Sequence, residues 1–412
     1  LSSGSTPVEL SFRRWREPAT GERARSIWID EALAREAGEP ISTLRGTRDV
    51  DVCIVGGGFT GLWTAIRLRA QDPSIRVAIV EADRCGTGAS GRNSGGIGHW
   101  WSKLPTLLRL LGPEDAVRLL RASEQAICDI RDFVAQHQIV CDLREGPSVW
   151  SATARAQVGA WEVVFRAAEQ VGLTPPLRPL SPNELKHMFG KGPYLAGVVE
   201  DRVTRSQPAM LARGLRRAAI NAGVDIFERS PVTRVRGNSR KLSVETPDGS
   251  VTAERVVLAA NAWMAHLPEF RPYVMVISSD IVVTNPIPEL LERYGFRDRP
   301  GGHNSRLMLN YGGVTPDGRV YVGRGGGTIA YDAHVGPAFD FSPKRAAEVE
   351  EDFRFLYPEL RDVPIARAWA GPIDRSTTGL PWFGRLEQDE RIHYAIGYTG
   401  HGVGASALGG RI

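Results

Sequence analysis

The stretch Val50-Asp51-Val52-Cys53-Ile54-Val55-Gly56-Gly57-Gly58-Phe59-Thr60-Gly61-Leu62 decides the fold. Residues 50–55 are an apolar run of the kind found in a strand buried on both faces. Residues 59–70 place Leu62, Ala65, Ile66 and Leu68 at helical spacing. Residues 76–82 read as a second strand. Such a strand–helix–strand unit implies a parallel pair joined by a right-handed crossover. The turn between strand and helix matches G-x-G-x-x-G at Gly56, Gly58 and Gly61. Gly56 permits the tight turn, Gly58 lets backbone approach a pyrophosphate, and Gly61 lets helix and strand pack closely. Phe59 and Thr60 open a helix whose free N–H groups and partial positive charge suit an anion. Glu81, followed by Ala82, ends the second strand, where a carboxylate accepts hydrogen bonds from both ribose hydroxyls. That favours FAD or NAD over NADP.

Two further glycine-rich stretches extend the pattern. Gly86-Thr87-Gly88-Ala89-Ser90-Gly91-Arg92-Asn93-Ser94-Gly95-Gly96 offers small residues, hydroxyls and backbone N–H groups that can wrap a phosphate and lie against a flat ring. Gly397-Tyr398-Thr399-Gly400-His401-Gly402-Val403-Gly404 follows a strand and opens another helix. Its N–H groups would favour a flavin ring that gains negative charge on reduction. The chain holds 45 glycines in 412 residues, about half as many again as the usual ~7%. Their clustering reads as backbone closing on one extended ligand.

The rest of the composition narrows the field. A net charge of +4 with no clustered basic face argues against nucleic acid as a partner. Cys53, Cys85, Cys128 and Cys141 include no CxxC pair, and the eight histidines include no HExxH, so no metal is expected. So few cysteines in so long a chain suit a reducing, cytoplasmic setting. No apolar run is long enough for a membrane span. The opening Leu1-Ser2-Ser3-Gly4-Ser5 lacks a signal-peptide pattern and reads as an added remnant or a trimmed end. The helix after Gly404 is expected to continue past Ile412.

Along the chain, residues 1–48 read as an N-terminal arm anchored by Trp15 and Trp28. Parallel-type segments recur at 49–100, 200–262 and 365–412. Residues 101–199 and 263–364 lie between them, with strand-like pieces at 277–284, 306–310 and 319–322. The expected fold is α/β: a Rossmann-like FAD-binding domain interleaved with an α+β substrate domain built on a mixed or antiparallel sheet.

The three glycine loops, in this order, together with residues 256–263, resemble the FAD-dependent amino-acid and amine oxidases, the D-amino-acid oxidase-like family. The gamma-glutamylputrescine oxidoreductase-type branch is the most similar, through the arm before the first strand, the Gly-Arg-Asn loop and the Tyr-Thr-Gly-His-Gly-Val end. The resemblance implies that Gly56, Gly58, Phe59, Thr60 and Gly61 serve the pyrophosphate and Glu81 and Ala82 the adenosine. It implies that Gly88, Ala89, Ser90, Arg92, Asn93, Ser94, Gly95 and Gly96 line the pyrophosphate and flavin edge. Val232, Ala260 and Gly371 would add backbone contacts, and Gly400, His401, Gly402 and Val403 would sit at the pyrimidine end. Some relatives attach FAD through a His in the second loop or a Cys near the C-terminus. This chain has Arg92-Asn93 in that loop and no Cys after Cys141, so FAD is expected to be noncovalent.

The implied reaction is hydride transfer from the carbon beside an amine nitrogen to flavin N5, followed by imine hydrolysis to a carbonyl product. The substrate would be a small amine or amino acid, and the acceptor oxygen or another carrier. Some family oxidases use a Lys near the flavin for oxygen; after Lys241 this chain has only Lys344, which keeps other acceptors open. Arg306, Tyr311, Tyr321 and Arg324 are the candidate roof residues, with Arg306 or Arg324 holding a carboxylate. His401, His99, Trp100 and Trp101 are candidate pocket walls. Gly323–Gly327 is read as a bend over a ligand. Two other readings stand beside this one: a flavin dehydrogenase of a hydroxy acid or polyol, and a non-redox nucleotide-binding or tRNA-modification partner.

Overall fold

A computed structural model describes residues 8–16, 25–36, 38–296 and 300–412. Two nine-stranded mixed sheets organise them. The first is built around strand β1 (Gly46–Val55), helix α1 (Phe59–Gln71) and strand β2 (Val77–Val80). β1 and β2 run parallel, with Val52 opposite Val77 and Val55 opposite Val80. Cys53, Ile54, Ala78 and Ile79 are wholly buried because helices cover one face and further sheet and loops the other.

The second sheet includes strand β3 (Ala196–Arg205), which leads into helix α2 (Pro208–Asn221). Strand β4 (Gly249–Leu258) returns to the first sheet, parallel to β1 along its whole length. Strands β5 (Val274–Thr284), β6 (Val320–Ile329) and β7 (Ile365–Ser376) lie side by side in the second sheet. Strand β8 (Asp389–Ile396) pairs in parallel with β4 and delivers the chain to the third glycine loop and helix α3 (Gly402–Gly409).

The chain crosses between sheets more often than its sequence suggests. Gly96–Ile97, β3 and β7 belong to the second sheet, although their neighbours 49–100, 200–262 and 365–412 read as first-sheet segments. Glu9–Ser11, in the arm, pairs with Arg234–Arg236 and so joins the first. The helix Pro113–Gln136 packs on the first sheet's side, with Phe133 edge-on to Trp63 at 4.9 Å.

Two local readings change. Residues 306–309 are a turn between Gly301–Asn304 and Asn310–Val314, closed where the Asn310 N–H donates to Asn304 Oδ1 at 2.9 Å. Gly323–Gly327 is part of β6, not a free bend. Glycine is required there by what crosses it: a Cβ on Gly323 would stand 2.1 Å from the Tyr311 ring.

Candidate functional site

The three glycine turns converge on one cavity of about 630 Å³, within the ~300–1,000 Å³ range of ligand sites. At the first, Gly56 has φ +110°, and a Cβ there would lie 2.6 Å from Ala259 O. A Cβ on Gly61 would lie 2.0 Å from Gly56 O, so α1 sits directly on the turn. The Phe59 N–H donates to Ser90 Oγ at 2.9 Å, tying the second loop to the helix start. Within that loop Asn93 accepts from the Gly95 N–H (2.8 Å) and donates to Ser90 O (2.8 Å). The third loop hangs on Asp374, whose carboxylate accepts from the N–H groups of Gly397 (2.6 Å) and Tyr398 (3.2 Å). Burial raises the Asp374 carboxyl to about 6. The Tyr398 hydroxyl lies 2.6 Å from Thr60 Oγ1, joining the first and third loops. Asp374 had no sequence signal: it is a lone acid between Ile373 and Arg375, and only the fold places it under a turn.

All the residues expected to hold the cofactor line this cavity except Gly61 and Gly95. Gly61 packs beneath Gly56, and Gly95 packs on Ser206 O. Glu81 accepts from the N–H groups of Gly57 (2.6 Å) and Asp83 (2.9 Å) at the end of β2. Arg92 reaches the cavity wall, but its guanidinium does not serve an anion there. It bonds Thr87 O at 2.8 Å and Asp340 Oδ1 at 2.7 Å, locking the loop to the second sheet's side.

Together with the glycine turns, the same cavity is walled by a chamber of polar and aromatic side chains: His99, Trp101, Trp150, Glu200, Arg205, His303, Tyr311, Tyr321 and His401. Trp100 is core. His401 Nδ1 donates to Thr399 O at 3.1 Å. Desolvation against the cavity wall, then the nearby Lys103, lowers the His401 imidazole, and desolvation lowers His303, which is tilted against Trp150 at 5.5 Å; both residues stay exposed to the open cavity. Tyr311 bonds Ser279 Oγ at 2.7 Å, and burial pushes its phenol up.

The family model described as "FAD dependent oxidoreductase" matches residues 51–412. The chain belongs to that family. This oxidoreductase is 29% identical to the gamma-glutamylputrescine oxidoreductase of Escherichia coli, over 90% of this chain and 84% of that one. It is 27% identical to a probable oxidoreductase, OrdL, of Haemophilus influenzae, over 95% and 87%. Its fold matches the glycine oxidase structure from Geobacillus kaustophilus with a TM-score of 0.70 at 22% identity, over 88% and 93%. FAD is its cofactor. The cradle fits that group: glycine turns too tight for a Cβ, two helix N-termini and a carboxylate at the strand end line one cavity.

Two expected roof residues of the FAD oxidoreductase are not in the chamber. Arg306 bonds Asp352 at 2.9 Å, and Arg324 lies 3.5 Å from the same carboxylate. Arg306 lies in the 306–309 turn, and Arg324 is directed away by the two-residue alternation of a strand. Tyr321 on β6 faces the cavity, while Val322 and Arg324 face the helix Pro343–Leu356, which carries Glu348 and Asp352. The arginine that does line the chamber is Arg205, on β3. Its guanidinium lies on Gly301, donates to Pro147 O at 3.1 Å, and has no carboxylate within ion-pair distance among the described residues. Burial lowers its pKa, but an arginine there remains charged. The sequence also hides Lys103. It stands upstream of the glycine loops' last member by some three hundred residues, yet folds beside His401 and Arg375.

Proposed function

We propose that this protein oxidises the C–N bond of a small amine or amino acid, with FAD held noncovalently. The observation that carries the reading is one cavity lined both by the glycine cradle and by Arg205, a guanidinium with no ion-pair contact among the described residues. Relatives named for gamma-glutamylputrescine, glycine and sarcosine support the substrate class. The first sheet serves as the FAD domain and the second as the substrate roof.

Gly56, Gly58 and the N-terminus of α1 would take the pyrophosphate, and Glu81 the ribose. Val232 would offer backbone to the adenine. Gly400–Val403, at the N-terminus of α3, would face the pyrimidine end of the flavin. When bound, the flavin accepts a hydride from the carbon beside the amine nitrogen. Arg205 would hold an acidic group of the substrate and fix which C–H is presented. The aromatic walls Trp101, Trp150 and Tyr311 would exclude water from the reacting bond.

The test is an anaerobic flavin-reduction screen of purified holoprotein against glycine, sarcosine, putrescine and matched hydroxy acids. Bleaching by amines alone is the expected result. Bleaching by hydroxy acids alone, or a protein that cannot be loaded with FAD, would overturn the reading. Acid precipitation should release the flavin into the supernatant. Admitting air or a quinone to the reduced enzyme identifies the acceptor.

A further inference from the structure

Resting on the C–N reading above, we propose that Glu200 docks the substrate's ammonium group and takes its proton, with His99 as the positioning residue. Four carboxylates line the cavity: Glu81, Glu200, Asp340 and Asp374. Three are already engaged. Glu81 accepts two backbone N–H groups, Asp374 accepts two more, and Asp340 pairs with Arg92 and Arg16. Glu200 has one partner, His99 Nε2, at 2.7 Å, and its side chain is 16% exposed, into the chamber.

The hydrogen-bond directions show what that partner leaves open. The Trp101 N–H points at His99 Nδ1 at 3.4 Å, a long contact that makes Nδ1 the accepting nitrogen. Nε2 therefore carries the proton and donates it to Glu200 Oε1. The imidazole N–H orients the carboxylate through Oε1 alone. Oε2 is left without a protein donor among the described residues. Arg205 of the same strand is a cation within electrostatic reach but makes no ion-pair contact, so Oε2 keeps an open position for a ligand's cationic group.

The chemistry asks for such a group. An alkylammonium has no lone pair on nitrogen and cannot release hydride from the adjacent carbon. One N–H bond must first break, with the proton passing to Glu200 Oε2 and the electron pair staying on nitrogen. The proton returns to water as product leaves. The other titratable or charged groups of the chamber are Arg205 on the same strand, His303, Tyr311, Tyr321, Arg375 and His401. Arg205 and Arg375 are cations. His401 Nδ1 is committed to Thr399 O and the Tyr311 hydroxyl to Ser279 Oγ, and the raised phenol keeps its proton. Among the cavity's carboxylates, Glu200 is the one that geometry leaves with an open oxygen.

The experiment compares wild type, Glu200→Gln and Glu200→Asp holoproteins by anaerobic stopped flow, using whichever of glycine, sarcosine or putrescine reduces the wild-type flavin. Glu200→Gln should slow reduction by about 10²-fold at pH 7 and recover toward wild type as pH approaches the amine's own pKa. Glu200→Asp should retain part of the rate, and His99→Gln should shift the pH profile with unchanged flavin absorption. A Glu200→Gln rate equal to wild type, or a deficit constant with pH, would overturn the proposal. Should none of these amines reduce the wild type, the C–N reading fails separately. The ammonium site is then judged by flavin-band titration with the same amines: a response lost in Glu200→Gln supports it, and no response or an equal one overturns it.

Discussion

At the scale of single residues, Glu81 meets two opposed demands. Burial lifts its carboxyl from about 4.5 to about 7, outweighing the Asp83 and Gly57 N–H groups that favour the anion. A raised carboxyl stabilises the fold below the unfolded-state value, and that contribution is lost as pH climbs to about 7. Above pH 7 the apoprotein carries a partly buried charge whose desolvation opposes folding. Glu81→Gln is therefore expected to raise the apoprotein's Tm at pH 8 and leave it nearly unchanged at pH 5. The same variant should weaken FAD binding about 10-fold, the equivalent of one charged hydrogen bond, as read by flavin fluorescence quenching. Arg205 lends itself to a kinetic test. Arg205→Met should raise KM for a carboxylate-bearing amine by about 10- to 100-fold, from the ~1.5–3 kcal/mol of a charged hydrogen bond, with kcat changed far less. An unchanged KM would remove Arg205 from substrate binding.

At the scale of elements, the seating of α1 on the Gly56 turn is the contact that shapes the cradle. The Gly61 position leaves no room for a methyl group, because backbone stands where it would go. Gly61→Ala should lift the helix start, cost about 1–3 kcal/mol in urea unfolding, and yield protein purified without flavin. Loss of stability with normal FAD content would mean that the helix start does not hold the cofactor. The elements of the first sheet were legible because each signal is local. An apolar run, a glycine turn, a helical stripe and a terminal acid lie within about forty residues of Val50. The roof was less legible. Arg306, Tyr311 and Arg324 sit near one another in sequence, but strand alternation and the 306–309 turn send their side chains to opposite faces. Nothing in the residue types themselves says which face a mixed-pattern strand will bury.

At the scale of the whole molecule, Asp340 is the junction. It accepts from Arg92 of the second loop and Arg16 of the arm, while its backbone oxygen accepts from the Ala370 N–H of β7. One residue thus ties the cradle, the arm and the second sheet together. Asp340→Ala leaves Arg92 buried without that partner. The expected cost is about 3–5 kcal/mol, with faster FAD release and faster limited proteolysis between the sheets. Denaturant midpoints and flavin release rates equal to wild type would show that the junction is dispensable.

The sequence by itself determined the cofactor class, the parallel core and the three loops that form the cradle. These depend on short-range rules of backbone geometry: where only glycine fits, where a helix must begin, and which runs must be buried. Only the tertiary structure decided the chamber. Glu200 and Arg205 lie in a stretch that reads as part of the FAD domain, yet β3 pairs in the other sheet. His99 follows the second loop in sequence but contacts Glu200 of the second sheet. A charged side chain acquires its role from which neighbours fail to neutralise it, and that depends on long-range pairing, which no local pattern encodes.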